Sequence, residues 1–139
     1  MQVHRTISNL VQSLAEADGI DQSLRTLQYA STNFDVSLQE IATAWHTGSC
    51  LCLISDAVKK DIAVLPRMLR EAKIERLFLP PAILYWLAES IDGHASLPDL
   101  REIFVAGEAL IYSRSVGKFL DAHPACVMWN HYGPTETHV

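Results

Sequence analysis

Residues 76–106 read RLFLPPAILYWLAESIDGHASLPDLREIFVA, and the alternation within this stretch decides the fold. Arg76 to Leu79 and Glu102 to Ala106 are short apolar runs of strand character. Between them Pro80-Pro81 opens a helix, since proline is tolerated in a first turn. The buried stripe of that helix is expected at Leu84, Leu87, Ala88 and Ile91, with Gly93 ending it. A strand, a single helix and a second strand make a parallel connection with a right-handed crossover, because a parallel partner is reached only by travelling back across the sheet.

The same alternation extends in both directions. Ile7, Leu10, Val11 and Leu14 recur at helical spacing, with Gly19 the expected stop. Thr26 to Ser31 reads as a strand. Ser37-Leu38-Gln39-Glu40 has the spacing of a capping box, and Leu38, Ile41, Ala42 and Trp45 follow on one helical face up to Gly48. Cys50 to Ile54 is continuously apolar, as in a strand covered on both faces. Leu65 to Lys73 is helical, with Leu65, Leu69 and Ala72 inward. Val116, Phe119, Leu120 and His123 share a face of a later helix, and Ala125 to Trp129 forms the last strand. Five strands with four intervening helices predict an α/β fold, a doubly wound and mainly parallel sheet with helices on both faces. In such sheets ligands bind beyond the carboxyl ends of the strands, which directs attention to residues 33–37, 79–81, 107–110 and 130–137.

Composition agrees with one compact unit. The 139 residues are 49% hydrophobic and 19% charged, which excludes disorder and collagen-like structure. Eleven basic against sixteen acidic side chains give a net charge of −5, so a nucleic-acid partner is not expected. The longest uncharged apolar run, Leu77 to Ala88, is 12 residues and holds two prolines, against about 20 for a membrane span. No membrane partner is expected, and without a signal-peptide pattern the expected compartment is the cytosol. Cys50, Cys52 and Cys126 cannot all pair and read as structural thiols.

Two strand ends carry unusual chemistry. Asn130-His131-Tyr132-Gly133-Pro134-Thr135-Glu136 combines an aromatic ring, a flexible then rigid backbone pair, a hydroxyl and a carboxylate. Gly133 permits close approach of the main chain to a ligand and Pro134 fixes the next φ. Such a loop suits a nucleotide: Tyr132 can stack on a base, Asn130 can bond its edge, Thr135 can donate to a phosphate and Glu136 can hold Mg²⁺. A plain Gly-Pro turn with solvated polar residues is the alternative. Asp35, in Phe34-Asp35-Val36-Ser37, suits the counter-ion of a buried ammonium group, or else a helix N-terminal residue favoured by the macrodipole.

Taken together, NHYGPTE, FDVSLQE, the LPP after the third strand and the VAGEAL after the fourth resemble the amino-acid adenylation domains of nonribosomal peptide synthetases, within the adenylate-forming superfamily. All four agree in order and spacing over essentially the whole chain. The resemblance implies an internal segment, residues 1–139, of the large N-terminal region of such a domain, and a ligase of antibiotic-type peptide biosynthesis. An amino-acid carboxylate attacks the α-phosphate of ATP to give an aminoacyl-adenylate and pyrophosphate, and the acyl group passes to the phosphopantetheine thiol of a carrier protein. The implied partners are ATP, an amino acid, a peptidyl carrier protein and a condensation domain, with Mg²⁺ as cofactor. By motif, Glu136 corresponds to the Mg²⁺ ligand, Thr135 to a phosphate contact, Tyr132 to the adenine platform and Asn130 to an adenine hydrogen-bond partner. Gly107, Glu108 and Gly133 correspond to backbone beside the nucleotide. Asp35 corresponds to the carboxylate that holds the substrate ammonium, and Val36, Gln39, Phe78, Phe104, Ala106, His131 and Val139 to pocket-lining positions. As a set these are similar to proline-activating members, with Phe104 replacing the usual branched aliphatic, so proline or a compact apolar amino acid is the expected substrate. For Phe78 and Phe104, plain core packing is the competing reading.

The resemblance also implies parts this chain does not contain. A Gly/Ser/Thr-rich phosphate loop with its Lys belongs upstream, and a ribose-binding Asp, an Arg and a catalytic Lys belong downstream in a C-terminal subdomain. Without those charge-stabilising groups the segment alone is expected to show negligible adenylation activity, and its uncovered edges favour self-association. The competing functions are an acyl-CoA or aryl-acid ligase, for which a carboxylate at Asp35 is costly, and a receiver-like binding module, which lacks its acidic cluster here.

Overall fold

A computed structural model describes residues 4–16, 23–91, 96–131 and 133. The elements follow in the order α1 (His4–Glu16), β1 (Thr26–Gln28), α2 (Val36–His46), β2 (Leu51–Leu53), α3 (Asp56–Lys60), a 3-10 turn (Ile62–Val64), α4 (Leu65–Glu71), β3 (Arg76–Leu79), α5 (Pro81–Ser90), β4 (Glu102–Val105), α6 (Arg114–Ala122) and β5 (Val127–Asn130). The five strands form one parallel sheet in the order β2-β1-β3-β4-β5. This is the doubly wound α/β architecture expected, and its strand order reverses between β1 and β3.

Strand alternation divides the core in two. Phe78 pairs in register with Phe104, and Phe104 with Trp129. These rings lie on one face, where Leu10 and Leu14 of α1 and Val36 of α2 pack over them. On the opposite face Leu77, Leu79, Ile103 and Val105 meet Leu65 and Leu69 of α4, Leu84 and Leu87 of α5, and Val116 and Phe119 of α6. Pro80 enters α5 in an extended conformation with Pro81 in the first turn. Ser113 caps α6 by accepting from Val116 N at 3.3 Å. His123 closes that region inside the core: its Nε2 accepts from Leu97 N at 2.9 Å, which leaves Nδ1–H to donate to Phe119 O at 2.7 Å.

Three expectations are corrected. The capping box at Ser37 to Glu40 does not form. Asp35 caps α2 instead, its carboxylate accepting from Val36 N at 2.8 Å, while Ser37 sits inside the helix and donates to Phe34 O at 2.7 Å. The buried face of α2 is Ser37, Gln39, Glu40, Thr43 and Ala44. Of the apolar residues read on one face, Leu38 is exposed and Trp45 74% exposed, while Ile41 and Ala42 are half-buried. The Glu40 carboxylate finds its partners at Gln28, Tyr29 and Ala30 around the end of β1, and this demand outweighs the apolar periodicity. Finally, β2 is an edge strand with Leu53 exposed, so it is not covered on both faces. Gly19 and Gly93, the expected helix stops, lie outside the described residues.

The sheet interior also holds a charge pair that periodicity does not reveal. Arg76 and Glu102 stand opposite each other in the β3–β4 register. Arg76 Nε lies 2.5 Å from Glu102 Oε2, with the side chains 0% and 2% exposed. All three cysteines are free, and burial, reinforced by the nearby Glu102 charge, pushes the Cys126 thiol up to about 12, consistent with an inert structural role. Among the described residues no helix is long and apolar enough to cross a membrane.

Candidate functional site

A cavity of about 610 Å³ opens at the carboxyl ends of the strands, at the reversal point between β1 and β3. Four chain segments build its wall. The stretch after β1 brings Tyr29, Ala30 and Ser31, then Phe34, Asp35 and Val36 at the start of α2. The end of β3 brings Phe78, Leu79 and Pro80. Beyond β4 come Ala106, Gly107 and Glu108, and beyond β5 comes Gly133. Gly107 holds a φ of +98°, a conformation that side chains rarely adopt. A Cβ added there would meet nothing within 4 Å, so the backbone angle and not crowding is what calls for glycine.

The structure therefore gathers Asp35, Val36, Phe78, Ala106, Gly107, Glu108 and Gly133 around one space. Asp35 is half-buried between the apolar neighbours Phe34 and Val36 and caps α2 at the same time, so its cap role and its place in the cavity wall coexist. Gln39 and His131 lie together: the amide Nε2 is 3.1 Å from His131 Nδ1. Burial lowers the His131 pKa, and in the neutral ring Nδ1 accepts the amide N–H. Phe104 does not reach the cavity wall. It is 1% exposed, stacked on Phe78 with ring centroids 4.6 Å apart and tilted against His131 at 5.0 Å, which places it in a layer beneath the cavity floor. Asn130 ends β5 and is exposed. Tyr132, Thr135, Glu136 and Val139 lie outside the described residues.

Sequence reasoning missed Tyr29, Ala30 and Ser31, because the strand was expected to run through Ser31. A ladder that stops at Gln28 leaves these residues to form a loop. It also missed Glu40. Read as the second half of a capping box, Glu40 is 0% exposed and its Oε1 accepts from Tyr29 N at 3.0 Å and Ala30 N at 2.9 Å, while Oε2 accepts from Gln28 Nε2 at 3.0 Å. Desolvation raises its pKa to about 7 against the lowering effect of these bonds and of Lys59. A carboxylate on the inward side of α2 was the available signal. Among the described residues no group of three or more His, Cys, Asp or Glu side chains gathers to hold a metal.

The family profile described as AMP-binding enzyme matches residues 1–139. The chain belongs to that family. Tyrocidine synthase 2 of Brevibacillus parabrevis is 33% identical over 140 residues, covering 100% of this chain and 4% of the synthase. Gramicidin S synthase 2 of Brevibacillus brevis is 33% identical over 140 residues, covering 100% of this chain and 3% of its own length. Among solved structures, PA1221, described as a nonribosomal peptide synthetase protein containing adenylation and PCP domains, matches with a TM-score of 0.78 and 26% identity over 97% of this chain and 23% of its own. The Vibrio cholerae adenylation domain AlmE, solved with glycyl-adenosine-5'-phosphate, has a TM-score of 0.81 at 21% identity, covers 96% of this chain and 25% of its own, and speaks for the fold. Within the AMP-binding family this is adenylation-domain sequence of the nonribosomal peptide synthetase type, and it spans a small part of the relatives it matches.

Proposed function

We propose that this chain supplies the amino-acid wall and the strand-end loops of a site that forms an aminoacyl-AMP from ATP and proline or a similarly compact apolar amino acid. The observation that supports this reading above all is the cavity at the strand-order reversal, which Asp35 lines together with Gly107, Glu108 and Gly133. Asp35 offers its charge to a substrate ammonium in an apolar surround, where an opposite charge is worth most. Val36, Phe78 and Ala106 bound the side-chain space, the Gln39–His131 pair stands behind it, and Phe104 acts from the layer below by fixing the Phe78 ring.

In the reaction proposed, a carboxylate oxygen of the amino acid bonds to the α-phosphorus of ATP as the bond to pyrophosphate breaks and pyrophosphate departs with the charge. The acyl group then passes to a carrier-protein phosphopantetheine thiol with release of AMP, as in a synthetase that also contains carrier and condensation domains. Asn130 and Tyr132 face the adenine in this reading, Thr135 contacts phosphate and Glu136 is the oxygen ligand of Mg²⁺. The ion supplies charge neutralisation between two anions. Lacking a phosphate loop and a catalytic Lys, the chain alone is expected to give negligible ATP–pyrophosphate exchange, and clear exchange would overturn that expectation.

Calorimetry with a prolyl-adenylate analogue, compared with the analogue lacking the α-amino group, tests the assignment. Ammonium-bearing ligand should bind at least tenfold tighter, and Asp35→Asn should remove the difference. Equal affinities in the unsubstituted chain would refute the amino-acid reading and favour an acyl-CoA or aryl-acid ligase. We further propose that exposed Phe34, Leu38, Trp45 and the β2 edge promote self-association.

A further inference from the structure

We propose that Glu40 is the positioning residue of the cavity, its carboxylate fixing the backbone of Tyr29 and Ala30 where they form the wall after β1. The β1–β2 ladder ends at the Gln28–Leu53 pair. The next two amides of the chain lie beyond that ladder, and both donate to one oxygen, Glu40 Oε1, at 3.0 and 2.9 Å. The second oxygen takes the Gln28 amide, whose Nε2 also donates to Ala30 O and whose Oε1 accepts from Lys59 Nζ at 3.2 Å. The charge that bears on the carboxylate is thus Lys59 of α3. From β1 comes the neutral Gln28 amide, from the loop after it come the Tyr29 and Ala30 N–H groups, and at the start of its own helix stands Asp35. A side chain of α2 takes over from the sheet ladder at the point where the chain leaves β1, and so links the helix that carries Asp35 to the opposite lip of the same opening. Both Tyr29 and Ala30 line the cavity.

The chemistry of the contact requires an acceptor at every position. Carboxylate oxygens only accept, and charged acceptors bind amides about twice as strongly as neutral ones. A glutamine at this position turns one end into a donor that confronts the Gln28 Nε2 donor. An aspartate keeps the charge but is one methylene short.

This inference rests on the adenylating reading of the cavity for its functional half, and its test separates the two. Amide exchange on the full chain, followed residue by residue, gives the first readout. In Glu40→Gln and Glu40→Asp, protection of the Tyr29 and Ala30 amides should fall at least tenfold at pH 8, with Leu77 and Ile103 unchanged. In the unsubstituted chain the advantage over Glu40→Gln should grow between pH 8 and pH 5.5, as the closed contact takes up a proton that the opened, solvated carboxyl does not hold; a contact that does not involve the carboxyl would show no such profile. Affinity for the prolyl-adenylate analogue should fall at least tenfold in both variants. Unchanged protection at residues 29 and 30, or a loss shared with Leu77 and Ile103, overturns the anchoring. Lost protection with unchanged affinity overturns the positioning role. If the unsubstituted chain does not bind the analogue, the adenylating reading fails, and the anchoring is then decided by the exchange data alone.

Discussion

Replacing one partner of the Arg76–Glu102 pair is the most direct test of how the centre of the sheet is held. The two side chains start β3 and β4, face each other in register, and are 0% and 2% exposed, with Nε and Oε2 2.5 Å apart. No solvent is available to the charge left behind in Arg76→Met or Glu102→Leu. Breaking such a pair typically costs about 3–5 kcal/mol, a large share of the roughly 5–15 kcal/mol that stabilises a domain of ordinary size. Replacing both partners removes both desolvation penalties, so Arg76→Met/Glu102→Leu should be no less stable than either single variant and closer to the parent. Urea unfolding at pH 7, followed by far-UV circular dichroism, gives the four free energies of the cycle. A coupling energy above about 2 kcal/mol is expected for neighbours that share a buried contact. Additive losses, or single variants within about 0.5 kcal/mol of the parent, would show that the pair is solvated or replaceable and would refute the reasoning.

Glu40 sets a pH dependence with a definite sign. Its carboxyl titrates near 4.5 in the unfolded chain and near about 7 in the folded one, so the folded state holds the extra proton between those values. At about 1.4 kcal/mol per unit this favours folding by about 3 kcal/mol below pH 4.5, and the contribution is lost as pH rises through 7. Relative to Glu40→Gln, the parent should lose about 3 kcal/mol of unfolding free energy in urea between pH 4 and pH 8, and parallel profiles or a relative gain would contradict it. Lys73 occupies a left-handed conformation, φ 51°, at the turn from α4 into β3. Lys73→Gly relieves a cost of about 1 kcal/mol, and a melting temperature that does not rise in calorimetry would count against it. Trp45→Lys with Leu38→Gln removes exposed apolar surface and should lower any concentration-dependent mass seen by light scattering without lowering the urea midpoint.

How far the sequence is legible differs between elements. Strands β3 and β4 were readable because both faces of each are covered, which produces continuous apolar runs between turn residues, and Pro80-Pro81 marks the start of α5 without ambiguity. Helix α6 was readable because Val116, Phe119 and His123 share a face that is in fact buried. The inward face of α2 was not legible, since most of its buried residues are polar and the ends of its apolar stripe, Leu38 and Trp45, are exposed. Nor was the edge position of β2, which no local pattern encodes. Helix α3 and the 3-10 turn after it, five and three residues long, are too short for periodicity to detect. In the site, Asp35 and the Gly107 loop were found by type and placement, whereas Tyr29 to Ser31 enter the cavity only because the strand ends at Gln28 and not at Ser31.

The energetic sign of Glu40 bears on why a carboxylate stands where an apolar side chain would pack. Above pH 7 its buried charge opposes folding relative to the protonated group, as the upward displacement of its pKa states. A residue selected by packing alone would not carry that cost. The same charge makes three hydrogen bonds to the end of β1, and two of its donors are backbone groups of the cavity wall. Rigid walls of this kind favour ligands that need a fixed distance between an ammonium and a phosphate, because groups already in place lose little freedom on binding. Stability surrendered at Glu40 and geometry gained at Tyr29 and Ala30 therefore belong to one contact, and a variant that regains the first should lose the second.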